Sequence, residues 1–91
     1  MPDYKYSEDV ALQEIQRYVD ATYEEHYADS PIQAGEYMIA LGHGASYFLC
    51  NIIKYASRYG KKNGYNRKDI LKVIHYGMML LHVHNKEKEN V

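Results

Sequence analysis

Between Lys54 and Lys72 the chain sets Lys54, Arg58, Lys61, Lys62, Arg67, Lys68 and Lys72 against a single acid, Asp69. Tyr55, Tyr59, Tyr65 and Tyr76 are threaded through and just beyond this stretch. Cations interleaved with flat rings suit a ligand that is both anionic and planar, which points toward nucleotides or nucleic acid. Asn51, Lys54 and Arg58 stand at i, i+3 and i+7, so on a helix they share one stripe beside the aromatic positions. That stripe leads into Lys61 and Lys62. Across the following loop a helix start offers N–H groups without intrahelical partners, and such amides beside Lys and Arg form a seat for phosphate. Lys68, Lys72 and His75 continue along one side of this second helix. The competing expectation is that Arg58 and Lys72 pair with acids of the first helix while the tyrosines simply pack.

Other chemistries find little support. Gly60-Lys61-Lys62-Asn63-Gly64 lacks both the length and the hydroxyl of a phosphate-cradling loop. Neither Ser46 nor Ser57 sits in a nucleophile elbow. The paired Glu-x-x-Glu and Glu-x-x-Asp motifs with which helical nucleotide pyrophosphatases hold magnesium are absent. His82 and His84 lie about 200° apart around a helix and cannot chelate together. His75 and His82, seven apart, share a face but have no cysteine or carboxylate at ligand spacing. The expectation is therefore no catalytic residue, no metal and no cofactor. Asn51 is a separate oddity: among Phe48, Leu49, Cys50, Ile52 and Ile53 its amide needs a partner, either across a helix pair or on a ligand.

The elements that must position these groups are helical throughout. Ser7-Glu8-Asp9 places a cap and two acids before Ala11, Leu12, Ile15, Tyr18, Val19 and Thr22, which recur at helical spacing; this predicts a first helix from Glu8 to His26. Ser30, with Pro31 at the first helical position and Gln33 closing a capping box, predicts a second helix to Leu41, stopped by Gly42. Beyond the Gly42-His43-Gly44 turn, Tyr47, Phe48, Ile52, Tyr55 and Tyr59 mark a third helix ending at Gly60. Asn66 restarts a fourth, with Ile70, Leu71, Ile74, Met78 and Leu81 as its expected core stripe and an end at Val83 or Asn85. The expected fold is all-α: a single small domain of four helices, a hairpin of the third and fourth covered by the first two.

Composition limits the rest. The 91 residues form one domain, which buries about 60–65% of its unfolded surface and so gains much from association. Eleven tyrosines, with one phenylalanine and no tryptophan, give many rings with a polar handle, a composition suited to a homo-oligomer. Cys50 is the only cysteine, which excludes a disulfide framework, fits a reducing cytoplasm and reads as a small buried hydrophobe. No apolar run is long enough to span a membrane, and the acidic start does not read as a secretory signal. The net charge of −1 conceals a dipolar layout, since the first 36 residues carry nine acids against Lys5 and Arg17.

In order along the chain come His26-Tyr27, Pro31-Ile32-Gln33, Glu36-Tyr37-Met38, Phe48, Asn51, Ile53-Lys54-Tyr55, Arg58-Tyr59, Lys61-Lys62-Asn63-Gly64, Asp69-Ile70, Lys72 and His75-Tyr76. This series resembles a small phage-encoded family of uncharacterised domains, one copy of which forms part of a phage nucleotide kinase. The likeness covers residues 26–81, with residues 1–25 as an N-terminal helical extension and 86–91 as a frayed tail. Cys50 stands where that family has Gly, and Val73 where it has Ala. The resemblance implies phage origin, action in the host cytoplasm, and a ligand site at Asn51, Lys54, Tyr55, Arg58, Lys62, Asp69 and Lys72, to which the helix stripe adds His75.

Three functions follow. The first is a non-enzymatic binder of a phosphorylated small molecule, a cyclic nucleotide included, in phage nucleotide metabolism or as a sponge for a host defence signal. The second is a nucleotide kinase or an accessory domain of one, with Asp69 and His75 near the transferred group; the scarcity of carboxylates on the basic side argues against it. The third is an interaction protein that inhibits a host protein or binds nucleic acid, and the acidic N-terminal half disfavours the nucleic-acid version.

Overall fold

The computed structural model describes residues 2–25 and 31–89, and among them every regular element is a helix. The four are α1 (Glu8–Glu25), α2 (Pro31–Ala40), α3 (Gly44–Arg58) and α4 (Arg67–Glu89). No described helix is long and apolar enough to cross a membrane.

Local chemistry sets the boundaries. Ser7 adopts a positive φ of 57° and its carbonyl accepts from the Ala11 N–H at 3.0 Å, so α1 starts from the Ser7 backbone. Glu8 and Asp9 then meet the positive end of the helix. The capping box of Ser30 and Gln33 rests on a residue outside the described ones. Gly42, at φ 83°, ends α2 while the His43 N–H reaches back to the Met38 carbonyl at 2.8 Å. Gly60, at φ 84°, does the same for α3, with the Lys61 N–H on the Arg58 carbonyl at 2.9 Å. A side chain at position 60 would also meet the Tyr65 ring, 2.7 Å from the added carbon. Asn66 opens α4 by accepting the Lys68 N–H on Oδ1 at 2.9 Å.

The α3–α4 hairpin is the main packing unit; α2 lies on α3, and α1 on α4. Phe48, Tyr76 and Val83 form the core, with Ala45, Tyr47, Ile52, Tyr55, Met79 and Leu80 packed around them. Gly35 lets α2 approach: a methyl group there would lie 2.9 Å from the Phe48 ring.

Three expectations are corrected. Ile70, Ile74, Met78 and Leu81 do not form the core stripe of α4; all are exposed, while Asp69, His75, Tyr76 and Val83 are buried. The facing surface of α3 is aromatic, so α4 turns Tyr76 toward Phe48 and Tyr55, and the aliphatic positions rotate outward. Cys50 is exposed on the outer side of α3, because Phe48 and Ile52 take the inward positions. Residues 86–89 continue α4 as helix, whose alternating Lys86, Glu87 and Lys88 carry no helix breaker.

Candidate functional site

Tyr55 is the centre of the basic region. Its half-buried ring stacks on Tyr76 at 5.9 Å between centroids and 9° between planes. Lys54 Nζ lies 5.2 Å from the ring centroid, Arg58 Cζ 5.8 Å and Lys72 Nζ 5.2 Å. Any two of the three cationic centres are thus within about 11 Å of each other, about one Debye length. Lys54 and Arg58 arrive here because they sit one before and three after Tyr55 on α3, and Lys72 because the hairpin brings α4 alongside. Each cation over the ring gains about 0.5–1 kcal/mol, set against their mutual repulsion, which Asp69 and salt reduce.

One carboxylate belongs to the cluster. Asp69 is 1% exposed, in the first turn of α4, where the helix end favours its charge. Its Oδ1 lies 3.5 Å from Arg58 Nε, an ion pair slightly too long for a hydrogen bond. Arg58 Nε and Asp69 Oδ2 are both buried without a hydrogen-bond partner. Asp69 therefore faces the Nε edge of the guanidinium, while 27% of the Arg58 side chain stays exposed. Among the described residues no carboxylate pairs with Lys54 or Lys72. Three cations against one carboxylate leave two positive charges, which matches the −1.5 to −2 or so of a phosphate monoester.

The other expected residues take separate places. Asn51 Nδ2 donates to the Tyr47 carbonyl at 2.9 Å, a bond within α3 that satisfies the amide one turn before Tyr55. Lys62 is exposed in the loop, where its N–H donates to the Arg58 carbonyl at 3.2 Å, and no contact brings its ammonium to Tyr55. Beside it Tyr59 and Tyr65 meet edge to face at 5.3 Å, an exposed aromatic step. His75 is 6% exposed and meets the Tyr18 ring edge on at 5.9 Å. Burial, and then the charge of Lys72, hold its imidazole below the usual range and hence neutral at pH 7.

Two expectations about partners are corrected. Asn66 occupies the Lys68 amide through its side chain and the Asp69 amide through its carbonyl, so fewer N–H groups are open at the start of α4 than expected. Among the described residues the α1 acid that forms an ion pair is Glu14, which takes Arg67 in a two-pronged pair instead of Arg58 or Lys72. That pair holds the Glu14 carboxyl below its ordinary range, chiefly through the hydrogen bond from Arg67. Sequence reasoning also missed Tyr18 and Tyr47 as neighbours of the site. Burial pushes the Tyr76 phenol well up, with Tyr47, Tyr55 and Tyr18 adding to the effect, and burial followed by Tyr55 raises Tyr18. The signal for Tyr18 was its place on the inward stripe of α1. Among the described residues no three His, Cys, Asp or Glu side chains are grouped to hold a metal.

The family model DUF3310, described as a protein of unknown function, matches residues 21–77. That span contains every residue of the Tyr55 cluster and leaves most of α1 outside. No curated protein and no solved structure matches the chain.

Proposed function

The chain belongs to the DUF3310 family, whose description assigns no activity, and from the chemistry of its own side chains we propose that it binds a small phosphorylated ligand, a nucleotide or cyclic nucleotide, at Tyr55. The observation that carries this reading is the convergence of Lys54, Arg58 and Lys72 on one ring with Asp69 as the sole neutralising acid among the described residues. Lys54 and Lys72 supply point charges to the phosphate, and Arg58, held from behind by Asp69, supplies directed N–H donors. Binding is the whole of the proposed activity. Among the described residues the only acid of the cluster is engaged with Arg58, and no second carboxylate stands there to position a metal or take a proton. A role in phage nucleotide metabolism, or as a sponge that sequesters a host defence nucleotide, rests on the sequence resemblance. Self-association belongs to the same reading and is supported by exposed Ile70, Ile74 and Leu81, which share one face of α4.

Thermal unfolding with a panel of linear and cyclic nucleotides tests the proposal. A ligand at 100 times its dissociation constant stabilises the fold by about 2.7 kcal/mol. For a domain of this size that is a rise of roughly 10–20 °C, and it is expected to vanish in Lys72→Ala and Arg58→Ala. A panel in which no member raises the midpoint would contradict the proposal.

A further inference from the structure

A second site lies where all four helices meet. Val19 and Tyr23 of α1, Glu36 and Ile39 of α2, Phe48 of α3, and His75, Met78, Met79 and His82 of α4 enclose a crevice of about 360 Å³. This is within the range of small-molecule sites, about 300–1,000 Å³. Most of the lining is apolar, and Phe48 is its buried floor. His75 is the exception. Its imidazole is more than nine-tenths buried, lines the crevice, and makes no hydrogen bond among the described residues. Neither ring nitrogen is among the fully buried atoms that lack a partner, so the imidazole keeps a hydrogen-bonding edge open to water or to a ligand in the crevice.

The lining also says which chemistry fits. No Lys or Arg borders the crevice and Glu36 stands at its mouth, so an anionic group is repelled here, in contrast to the surroundings of Tyr55. A neutral imidazole presents one donor and one acceptor, and the Glu36 carboxylate adds an acceptor for an amino group. Met78 and Met79 bring polarisable thioethers, which favour contact with an aromatic ring. We propose that this crevice binds an uncharged heteroaromatic ring with a donor–acceptor edge, of the kind a nucleobase carries, with His75 as its hydrogen-bond anchor and Glu36 at the entrance. The site stands independently of the anion seat. Its lining straddles the edge of the family match: Tyr23, Glu36, Ile39, Phe48 and His75 lie inside it, and the residues at 19, 78, 79 and 82 outside.

The probes are adenosine, guanosine, cytidine and uridine, which lack phosphate, and the reporters are the four methionine methyl groups observed by NMR. At least one nucleoside is expected to shift the Met78 and Met79 resonances in a saturable way while Met38, which does not line the crevice, stays in place. His75→Leu is expected to weaken that binding about tenfold or more. His75→Asn, which keeps a donor and an acceptor, is expected to retain part of it. Should His75→Leu fail to fold, Glu36→Lys, at an exposed position, carries the same test by weakening nucleosides with an exocyclic amine. Unmoved Met78 and Met79 signals with all four nucleosides, or equal affinity in the position 75 or 36 variants, would overturn the proposal. Nucleoside binding alongside failure of every nucleotide to engage Tyr55 would preserve this site and sink the anion seat.

Discussion

Arg58 and Asp69 show why the Tyr55 cluster is electrostatically incomplete: a carboxylate with almost no exposure faces a guanidinium, yet each retains a buried atom without a hydrogen bond. Asp69→Asn removes the charge that holds Arg58. It is expected to cost about 1–3 kcal/mol in urea unfolding, less than a fully buried pair, because the Arg58 side chain stays 27% exposed. An unchanged urea midpoint would show that Asp69 does not position Arg58. His75 gives a pH dependence of definite sign. Its pKa is lower folded than unfolded, so as pH falls below about 6.5 the unfolded chain takes up a proton that the folded chain resists. The stability that depends on His75 is therefore present at pH 7 and lost on acidification through 6.5 toward the lower folded value. Melting midpoints from pH 7.5 to 5 are expected to fall in the wild type and to fall less in His75→Leu; parallel curves would refute the assignment. At this scale the cations and Tyr55 were legible from helical spacing. The resemblance singled out Asp69 as a ligand-site residue, but its inward position was not foreseen, since a lone acid in a basic run carries no mark of burial. Cys50 was misread because its apolar neighbours in sequence lie on other faces of the helix.

The elements were largely readable, since Gly42, Gly60 and Asn66 are stop and start signals that act through local backbone geometry. Facing was harder. Aliphatic periodicity picked the Ile70, Ile74 and Leu81 side of α4, whereas the ring of Tyr76, which counts for less on a simple hydropathy reading, decided what α4 buries against α3. The middle of α1 and the start of α4 meet through Glu14 and Arg67, a contact fifty-three positions apart that no local pattern announces. Gly35 tests the packing of α2 most simply. In an ordinary exposed helix Gly→Ala stabilises by about 0.5–1 kcal/mol. Here the added methyl would lie 2.9 Å from the Phe48 ring, and Gly35→Ala is expected to destabilise by about 1–3 kcal/mol in a thermal melt. A gain in stability would mean that α2 does not press on Phe48.

Over the whole molecule the charge layout is explained only in part by internal pairing. The acidic N-terminal half reaches the basic half through Glu14 and Arg67, while Lys54 and Lys72 remain without a carboxylate partner among the described residues. A fold of this size gains little from gathering like charges on one half-buried ring unless an anion joins them. That anion is the centre of the account, and phosphorus NMR observes it directly. With nucleotides titrated against the protein, at least one phosphate resonance is expected to shift and broaden in the presence of wild-type chain and to return to its free position with folded Lys72→Ala. Phosphate signals that stay unmoved across the panel, or that move equally with Lys72→Ala, would contradict it.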